Sequence, residues 1–157
     1  MVDHDKEGAF GLVINKTTDQ SLSELIKNFP VGIHKDKLVF CGGPVDPMFV
    51  SVIHDKKDAS DPGVEIIPGL YMARSYDTLL EILKSESTRF RVFQGYAGWG
   101  AGQLEAEFQR LSWVAMPADT QKVFSDREME EAWKGALVEK GGLYRYFVEH
   151  TKDPMLN

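Results

Sequence analysis

Short apolar runs, separated by glycine, proline and charged residues, make up most of the chain. Turn residues bound each run, and β-branched and aromatic residues are frequent inside them, which is typical of β-strands. Strands are predicted at Gly8–Asn15, Leu38–Cys41, Met48–His54, Val64–Ile67, Leu70–Ala73, Arg89–Gln94 and Ser112–Met116. Met48–His54 is apolar except for Ser51, so we expect that strand to be buried on both faces.

Capping residues and apolar stripes at helical spacing predict helices between the strands. They are expected at Ser21–Phe29, Tyr76–Leu83 behind Ser75, Ala101–Leu111, and from the capping box Ser125–Glu128 to Gly141. Leu104, Phe108 and Leu111 form the buried stripe of the third helix, and Met129, Trp133 and Leu137 that of the fourth. Trp133 is therefore predicted to be a core residue, and Leu143–Val148 is predicted to be a last strand or an extended arm. Strands and helices without a strict βαβ order indicate an α+β fold.

Length and charge narrow the class of protein. A chain of 157 residues predicts a single domain over 1–157. Its 24 acidic and 18 basic residues give a net charge of -6, which disfavours direct binding to nucleic acid or to an anionic membrane. Cys41 is the only cysteine, and the sequence shows neither a signal peptide nor an apolar run of the roughly 18 residues that a membrane span needs. These features predict a cytoplasmic protein.

The stretch GYAGWGAGQLEAE, residues 95–107, places four glycines in its first eight residues. A P-loop would require lysine and then serine or threonine after Gly100, where Ala101 and Gly102 stand. A dinucleotide fingerprint would require a third glycine where Glu105 stands. The glycines therefore predict backbone turns with positive φ and close packing around Trp99 rather than a phosphate site.

No catalytic or metal-binding set is evident. The histidines His4, His34, His54 and His150 are scattered without ligand spacing, so neither a metal nor a cofactor is predicted. Cys41 precedes a tight Gly-Gly turn, where a nucleophile could lie, but a lone strand cysteine is more often a small apolar residue. Ser51 lacks the G-x-S-x-G context of a hydrolase.

Five segments together resemble the bacterial YqgE/AlgH family: GAFGLVINK, GGPV, SVIH, GYAGWGAGQLEAE and FSDREMEEAW. The resemblance extends over nearly the whole chain. It implies a split, strongly bent mixed β-sheet that forms a pseudo-barrel with flanking helices, in a bacterial cytoplasmic protein. The family has the label of transcriptional regulator and no agreed biochemical activity, so no residue is carried over as catalytic.

The resemblance carries over signature positions, from which a candidate binding surface is predicted. It consists of Asn15, Gly42, Gly43, Trp99, Gln103 and Glu105. The first hypothesis is a non-enzymatic regulatory or interaction protein that uses a protein partner. The alternative is a small enzyme or ligand-binding protein with a site between GGPV and GYAGWGAGQLEAE, where Cys41 and His54 are further candidates.

The family pattern also predicts an open sheet edge. Family members begin with an apolar strand ahead of the segment that corresponds to Asp3–Asp5, and this sequence starts near that segment. The sheet is then expected to have an unprotected edge beside Gly11–Asn15 or Met48–His54. Leu143–Val148 is the expected cover, pairing with a second copy of the chain is the second option, and a marginally stable chain is the third.

Overall fold

The structure is a computed structural model that describes residues 1–27, 29, 34–125 and 129–150. These residues form two compact units, Met1–Val114 and a second that begins at Ala115. The prediction of one domain over 1–157 stays a prediction.

Eight strands and six helices lie in the described part of the chain. The strands are β1 (Asp3–Asp5), β2 (Gly8–Gly11), β3 (Thr17–Ser21), β4 (Leu38–Cys41), β5 (Val45–His54), β6 (Val64–Ile67), β7 (Leu70–Ala73) and β8 (Phe90–Gly100). The helices are α1 (Leu22–Leu25), α2 (Tyr76–Leu83), α3 (Gln103–Gln109), α4 (Thr120–Val123), α5 (Met129–Lys140) and α6 (Gly142–His150). Strands and helices in this mixed order confirm the predicted α+β class.

The sheet is organised around β8. Its strand order is β1-β2-β8-β5-β7-β6, and β4 pairs in parallel with β8 and antiparallel with β3. One edge of β8 is shared, because residues 93–94 pair with β4 and residues 97–100 with β2. Gly95, which has φ +72°, separates these two stretches. The result is the split and bent sheet of a pseudo-barrel, as the resemblance implied.

Side chains on both faces of the central strands are buried. On one face, Val52 and Val92 pack with Leu22 of α1 and Ile82 of α2, and Val39 of β4 completes this core. The other face carries Phe93, Ile53 and Met72, which are also buried. The carboxyl-terminal half of β5, residues 51–54, is buried throughout, as predicted, whereas Met48 is 83% exposed.

The two helix N-caps that the sequence predicts at Ser21 and Ser75 are present in the structure. Ser21 and Glu24 form the predicted capping box, with Ser21 N donating to Glu24 Oε2 at 2.7 Å. Ser75 Oγ accepts from Thr78 N at 3.3 Å and caps α2. The first of these two helices, α1, is shorter than predicted, because Ile26 already has extended backbone angles.

Several predicted boundaries and stripes are wrong. The first long strand ends at Gly11, and residues 112–116 are not a strand. In α3 only Leu104 is buried, whereas Phe108 is 38% and Leu111 85% exposed. Leu111 lies beyond the end of α3 with φ +60°, so the apolar stripe does not continue to it.

The carboxyl-terminal unit corrects two further predictions. Trp133 is 38% exposed and is not a core residue. Leu143–Val148 belongs to the helix α6 and is not a strand or an extended arm. Asp126–Glu128 of the predicted capping box and the terminal residues 153–157 lie outside the described residues.

The open edge predicted beside Gly11–Asn15 is wrong, and the one predicted beside Met48–His54 is wrong for residues 52–54, which pair on both sides. The strand β2 lies between β1 and β8, and β5 lies between β7 and β8. The edge strands are the short β1 and β6 and, on the branch that β4 forms, β3. The first carries Asp3 and Asp5, and Pro62 and Pro68 flank the second. Charge, proline and short length are features that discourage edge-to-edge pairing.

Candidate functional site

The Gly42-Gly43 turn packs directly against the bend of β8. Gly42 N donates to Gln94 O and Gly42 O accepts from Val13 N, both at 2.8 Å. A Cβ atom on Gly42 would collide with Gly95 O, and one on Gly43 would collide with the Tyr96 carbonyl group. Glycine is needed here because two backbones cross without room for a side chain. This crossing fixes the end of β4 against the bend of β8.

Trp99 and Gln103 meet at Glu107, which accepts three side-chain hydrogen bonds. Trp99 Nε1 donates to Glu107 Oε2 at 3.0 Å, Trp113 Nε1 to the same oxygen at 2.7 Å, and Gln103 Nε2 to Oε1 at 3.0 Å. Gln103 Oε1 in turn accepts from Gly100 N at 3.1 Å. The two indole rings meet edge to face at 5.9 Å. We name these four side chains the glutamate network.

Hydrogen bonds to the charged form lower the pKa of Glu107. The Trp113 indole contributes most, followed by Gln103 and Trp99. The carboxylate is therefore ionised at neutral pH and fixes both indoles. Its hydrogen-bond acceptors are used within the protein, so Glu107 is better suited to a structural role than to proton transfer.

Glu105 points to the other flank of α3 and binds the amino-terminal hairpin. His4 Nε2 lies 2.8 Å from Glu105 Oε1. The pKa of Glu105 is lowered, first by its own backbone N–H and then by His4. His4 lies opposite Ala9 and Ala9 opposite Trp99, so the three side chains form a row across β1, β2 and β8. Glu105 contacts His4 at one end of this row, and Glu107 contacts Trp99 at the other, so both glutamates bind α3 to the sheet.

Asn15 and Cys41 lie along the same bend. Asn15 is half-buried in the loop after β2, two residues beyond Val13, whose N–H binds Gly42. Cys41 is half-buried on β4, with its Sγ 3.9 Å from Gly43 O. The thiol lies beside a backbone carbonyl and not beside a base.

His54 is fully buried, and its ring nitrogens both have partners. Nδ1 accepts from Lys56 N at 3.2 Å, and Nε2 lies 3.1 Å from Pro62 O. The ring stacks on Tyr71 at 5.7 Å. Burial lowers the pKa of His54, which favours the neutral ring that these two bonds require. His54 holds the loop after β5 and has no nitrogen left for catalysis.

The sequence of this chain is similar to those of known proteins. The family model DUF179, described as AlgH-like, matches residues 1–145. The chain belongs to the AlgH-like family. A UPF0301 protein of Chlorobaculum tepidum is 36% identical over 160 residues, which are 100% of this chain and 83% of that protein. A UPF0301 protein of Stenotrophomonas maltophilia is 37% identical over 85% of this chain and 73% of its own length.

Two solved structures share the fold. The solution structure of the AlgH protein from Pseudomonas aeruginosa has a TM-score of 0.74 at 30% identity, over 97% of this chain and 82% of that chain. The crystal structure of DIP2367 from Corynebacterium diphtheriae has a TM-score of 0.75 at 21% identity, over 93% of this chain and 78% of that one. The second likeness concerns the fold alone. The first confirms the AlgH-like pseudo-barrel with its helices.

Within the residues that the structure describes, no three His, Cys, Asp or Glu side chains converge as metal ligands. In the same ranges, none of the helices has the length and apolar character that crossing a membrane requires.

Three residues at this site were not among the predicted surface residues: Glu107, Trp113 and His4. The i, i+4 spacing of Gln103 and Glu107 was a usable signal for the first. Trp113 was assigned to a strand that does not form. His4 lies 101 residues from Glu105 in the sequence, so no local pattern could connect them.

Replacing Glu107 with glutamine should lower the thermal stability of the AlgH-like chain at neutral pH and change its tryptophan fluorescence. An amide has one acceptor oxygen, so it cannot serve two indoles and Gln103. Because the folded-state pKa of Glu107 is lowered, its contribution is present above the unfolded value of about 4.3 and is lost as the pH falls through the folded value. The difference in melting temperature between wild type and variant should therefore shrink as the pH falls below about 4.

Glu86→Gln, on the exposed surface, is the matched control and should leave both readouts unchanged. An unaltered melting temperature and fluorescence in Glu107→Gln would mean that the glutamate network contributes nothing in solution.

Proposed function

We propose that this AlgH-like chain is a non-enzymatic regulatory or interaction protein that acts through a protein partner. The observation that supports it is that several groups that a reaction would need are bonded to other groups of the fold. Glu107 accepts from three donors, Glu105 binds His4, and both nitrogens of His54 are bonded. A general acid or base must have a free position for substrate.

Regulation of transcription is one process that such a protein could serve, without contacting DNA itself. The net charge of -6 repels the phosphate backbone, on which most DNA affinity depends. We propose the cytoplasm as its compartment, because Cys41 is the only cysteine of the sequence.

The proposed partner surface combines the candidate residues Asn15, Gly42, Gly43, Trp99, Gln103 and Glu105. The two glycines shape the bend, and Trp99 offers a half-buried indole whose position Glu107 and Gln103 fix. A rigid aromatic side chain loses little entropy when a partner covers it, which is why such residues are frequent in interfaces.

Direct backbone packing argues against the alternative of a ligand site between the two signature turns. Gly42 is hydrogen-bonded to Gln94, and a Cβ on Gly95 would lie 2.6 Å from Gly43 O. A small molecule cannot enter between two backbones that are already in contact.

Two measurements on the purified protein test the proposal. Proteins that the immobilised chain captures from a lysate should, once purified, bind the chain in isothermal titration calorimetry. Glu105→Lys should weaken this binding about tenfold or more, whereas the exposed Lys84→Gln should leave it unchanged. A metabolite screen by thermal shift should find no ligand, since a ligand at 100 times its Kd would add about 2.7 kcal/mol. Sub-micromolar, sequence-specific DNA binding in an anisotropy titration would contradict the proposal, as would turnover of a metabolite.

A further inference from the structure

Three aromatic rings gather on β2, β5 and β8, away from the row that faces α3. The centroids of Phe10 and Tyr96 are 4.9 Å apart, those of Phe49 and Tyr96 5.0 Å, and those of Phe10 and Phe49 5.6 Å. All three side chains are only half-buried. We name Phe10, Phe49 and Tyr96 the aromatic cluster; it offers ring surface to solvent.

Two features of the backbone build this cluster. Phe10 lies opposite Gly98, and a Cβ on Gly98 would come within 3.1 Å of the Tyr96 ring, so the missing side chain lets that ring lie close. The pairing of β5 with β8 jumps from Val45↔Tyr96 to Val50↔Gln94, so the residues between Val45 and Val50 bulge out of the ladder. A bulge re-aims side chains, and here it brings Phe49 to the other two rings.

Arg74 lies directly on the aromatic cluster. Its guanidinium carbon is 4.2 Å from the centroid of the Phe49 ring, and the side chain is exposed. The other two arginines near the sheet have polar partners: Arg89 pairs with Asp55 at 2.7 Å, and Arg91 donates to Ile14 O at 2.7 Å. Among the described residues, no hydrogen bond or ion pair includes the guanidinium of Arg74.

An unpaired guanidinium is unexpected in a chain with 24 acidic residues. The face of the Arg74 guanidinium is used by the Phe49 ring, whereas its N–H edge is available, and that edge matches the two oxygens of a carboxylate. Met48, next to Phe49 in the bulge, is 83% exposed and adds a flexible apolar contact at the rim. The patch therefore offers one cationic edge beside apolar ring surface.

We propose that the aromatic cluster and Arg74 bind a short acidic segment of a partner protein, in which aspartate or glutamate lies beside an aromatic or aliphatic residue. The carboxylate takes the N–H edge of Arg74, and the neighbouring apolar side chain covers Phe10 and Tyr96. Covering the patch removes water from the stacked guanidinium, which strengthens its attraction to the Phe49 ring. This inference rests on the proposed function and adds a second contact surface with its own chemistry.

Charge complementarity selects this occupant. A nucleic acid would offer phosphates to Arg74, but the net charge of -6 opposes its approach. An acidic segment carries fewer charges and supplies apolar side chains, which phosphates do not.

The test is a fluorescence-anisotropy titration of the whole protein with labelled hexapeptides that pair aspartate or glutamate with phenylalanine, leucine or tryptophan. At least one should bind, and its version with lysine in place of the acid should bind about tenfold or more weakly. Arg74→Gln should weaken binding about tenfold, and Arg74→Lys should also weaken it, because an ammonium lacks the planar fork. Phe49→Ala should weaken binding through the ring.

The exposed Lys57→Gln removes the same charge elsewhere and should leave binding unchanged. The Arg74 and Lys57 variants should keep the wild-type melting temperature, which shows that the fold is intact. Phe49→Ala should melt at a lower temperature, because its ring contacts are lost, and circular dichroism should show that it is still folded at the temperature of the titration. The proposal is overturned if no peptide binds up to about 1 mM, if Arg74→Gln binds like wild type, or if phenylacetate binds as tightly as the peptides. It is also overturned if duplex DNA competes equally. If a captured partner protein binds the Arg74→Gln variant as tightly as wild type, the proposal for the aromatic cluster is wrong, whereas the proposed function is not contradicted.

Discussion

Gly43→Ala is expected to lower the free energy of unfolding by about 2–6 kcal/mol, or to prevent folding. A Cβ at this position would overlap the carbonyl group of Tyr96 and the nitrogen of Ala97, which are backbone atoms that cannot rotate away. Overpacking typically costs about 1–3 kcal/mol, and strained backbone adds about 1–3 kcal/mol more. Urea unfolding followed by circular dichroism measures the loss.

Gly100→Ala, the same substitution at the end of β8, is the matched control. A Cβ on Gly100 meets no heavy atom within 4 Å. Its effect should therefore stay within about 0.5 kcal/mol. Equal effects of the two substitutions would show that the crossing of the Gly42-Gly43 turn and β8 is looser than described.

Phe93→Ala should destabilise the protein by about 3–5 kcal/mol, because truncating a fully buried aromatic ring leaves a cavity. Phe93 is 0% exposed, and its ring lies 5.5 Å from that of Phe40 on the paired strand. Urea unfolding again provides the measurement. Phe147→Ala, on the 55% exposed ring of α6, is the control and should cost much less. A small loss in Phe93→Ala would mean that the inside of the pseudo-barrel can collapse around the gap.

Local signals in the sequence were enough for most of the short strands and for α2. β4, β6 and β7 have the predicted bounds, since turn residues delimit each of them, and Ser75 caps α2 as expected. The α3 helix was also predicted, although only Leu104 of its apolar stripe is buried. Its polar residues follow the helical period, since Gln103 and Glu107 contact each other while Glu105 points to His4. The resemblance to the AlgH-like family supplied the bent sheet, which no local pattern contains.

The errors arose where two structures fit one pattern or where pairing is long-range. Leu143–Val148 is rich in aromatic and β-branched residues, yet Leu143 and Phe147 also have helical spacing, and helix prevailed. The glycines of 95–102 were read as a turn, but most of them belong to β8, with Gly95 as its bend. β8 pairs with β2 and β5 from a distant part of the chain, which no local pattern reveals. The edge of β2 was predicted to be open because the local hairpin of β1 with β2 was not recognised.

The central position of β8 has a consequence for biosynthesis. Residues 8–11 pair with residues 97–100, which the ribosome adds about 90 residues later; at about 5–20 residues per second, that delay is about 5–20 s. β4 and β5 wait for the same strand, while α2 and the β6–β7 hairpin can form from neighbouring sequence. Pairing over such distances is slow, and it leaves apolar strands unpaired on the nascent chain. Chaperones that hold emerging polypeptides should therefore bind this protein until translation has passed Gly100.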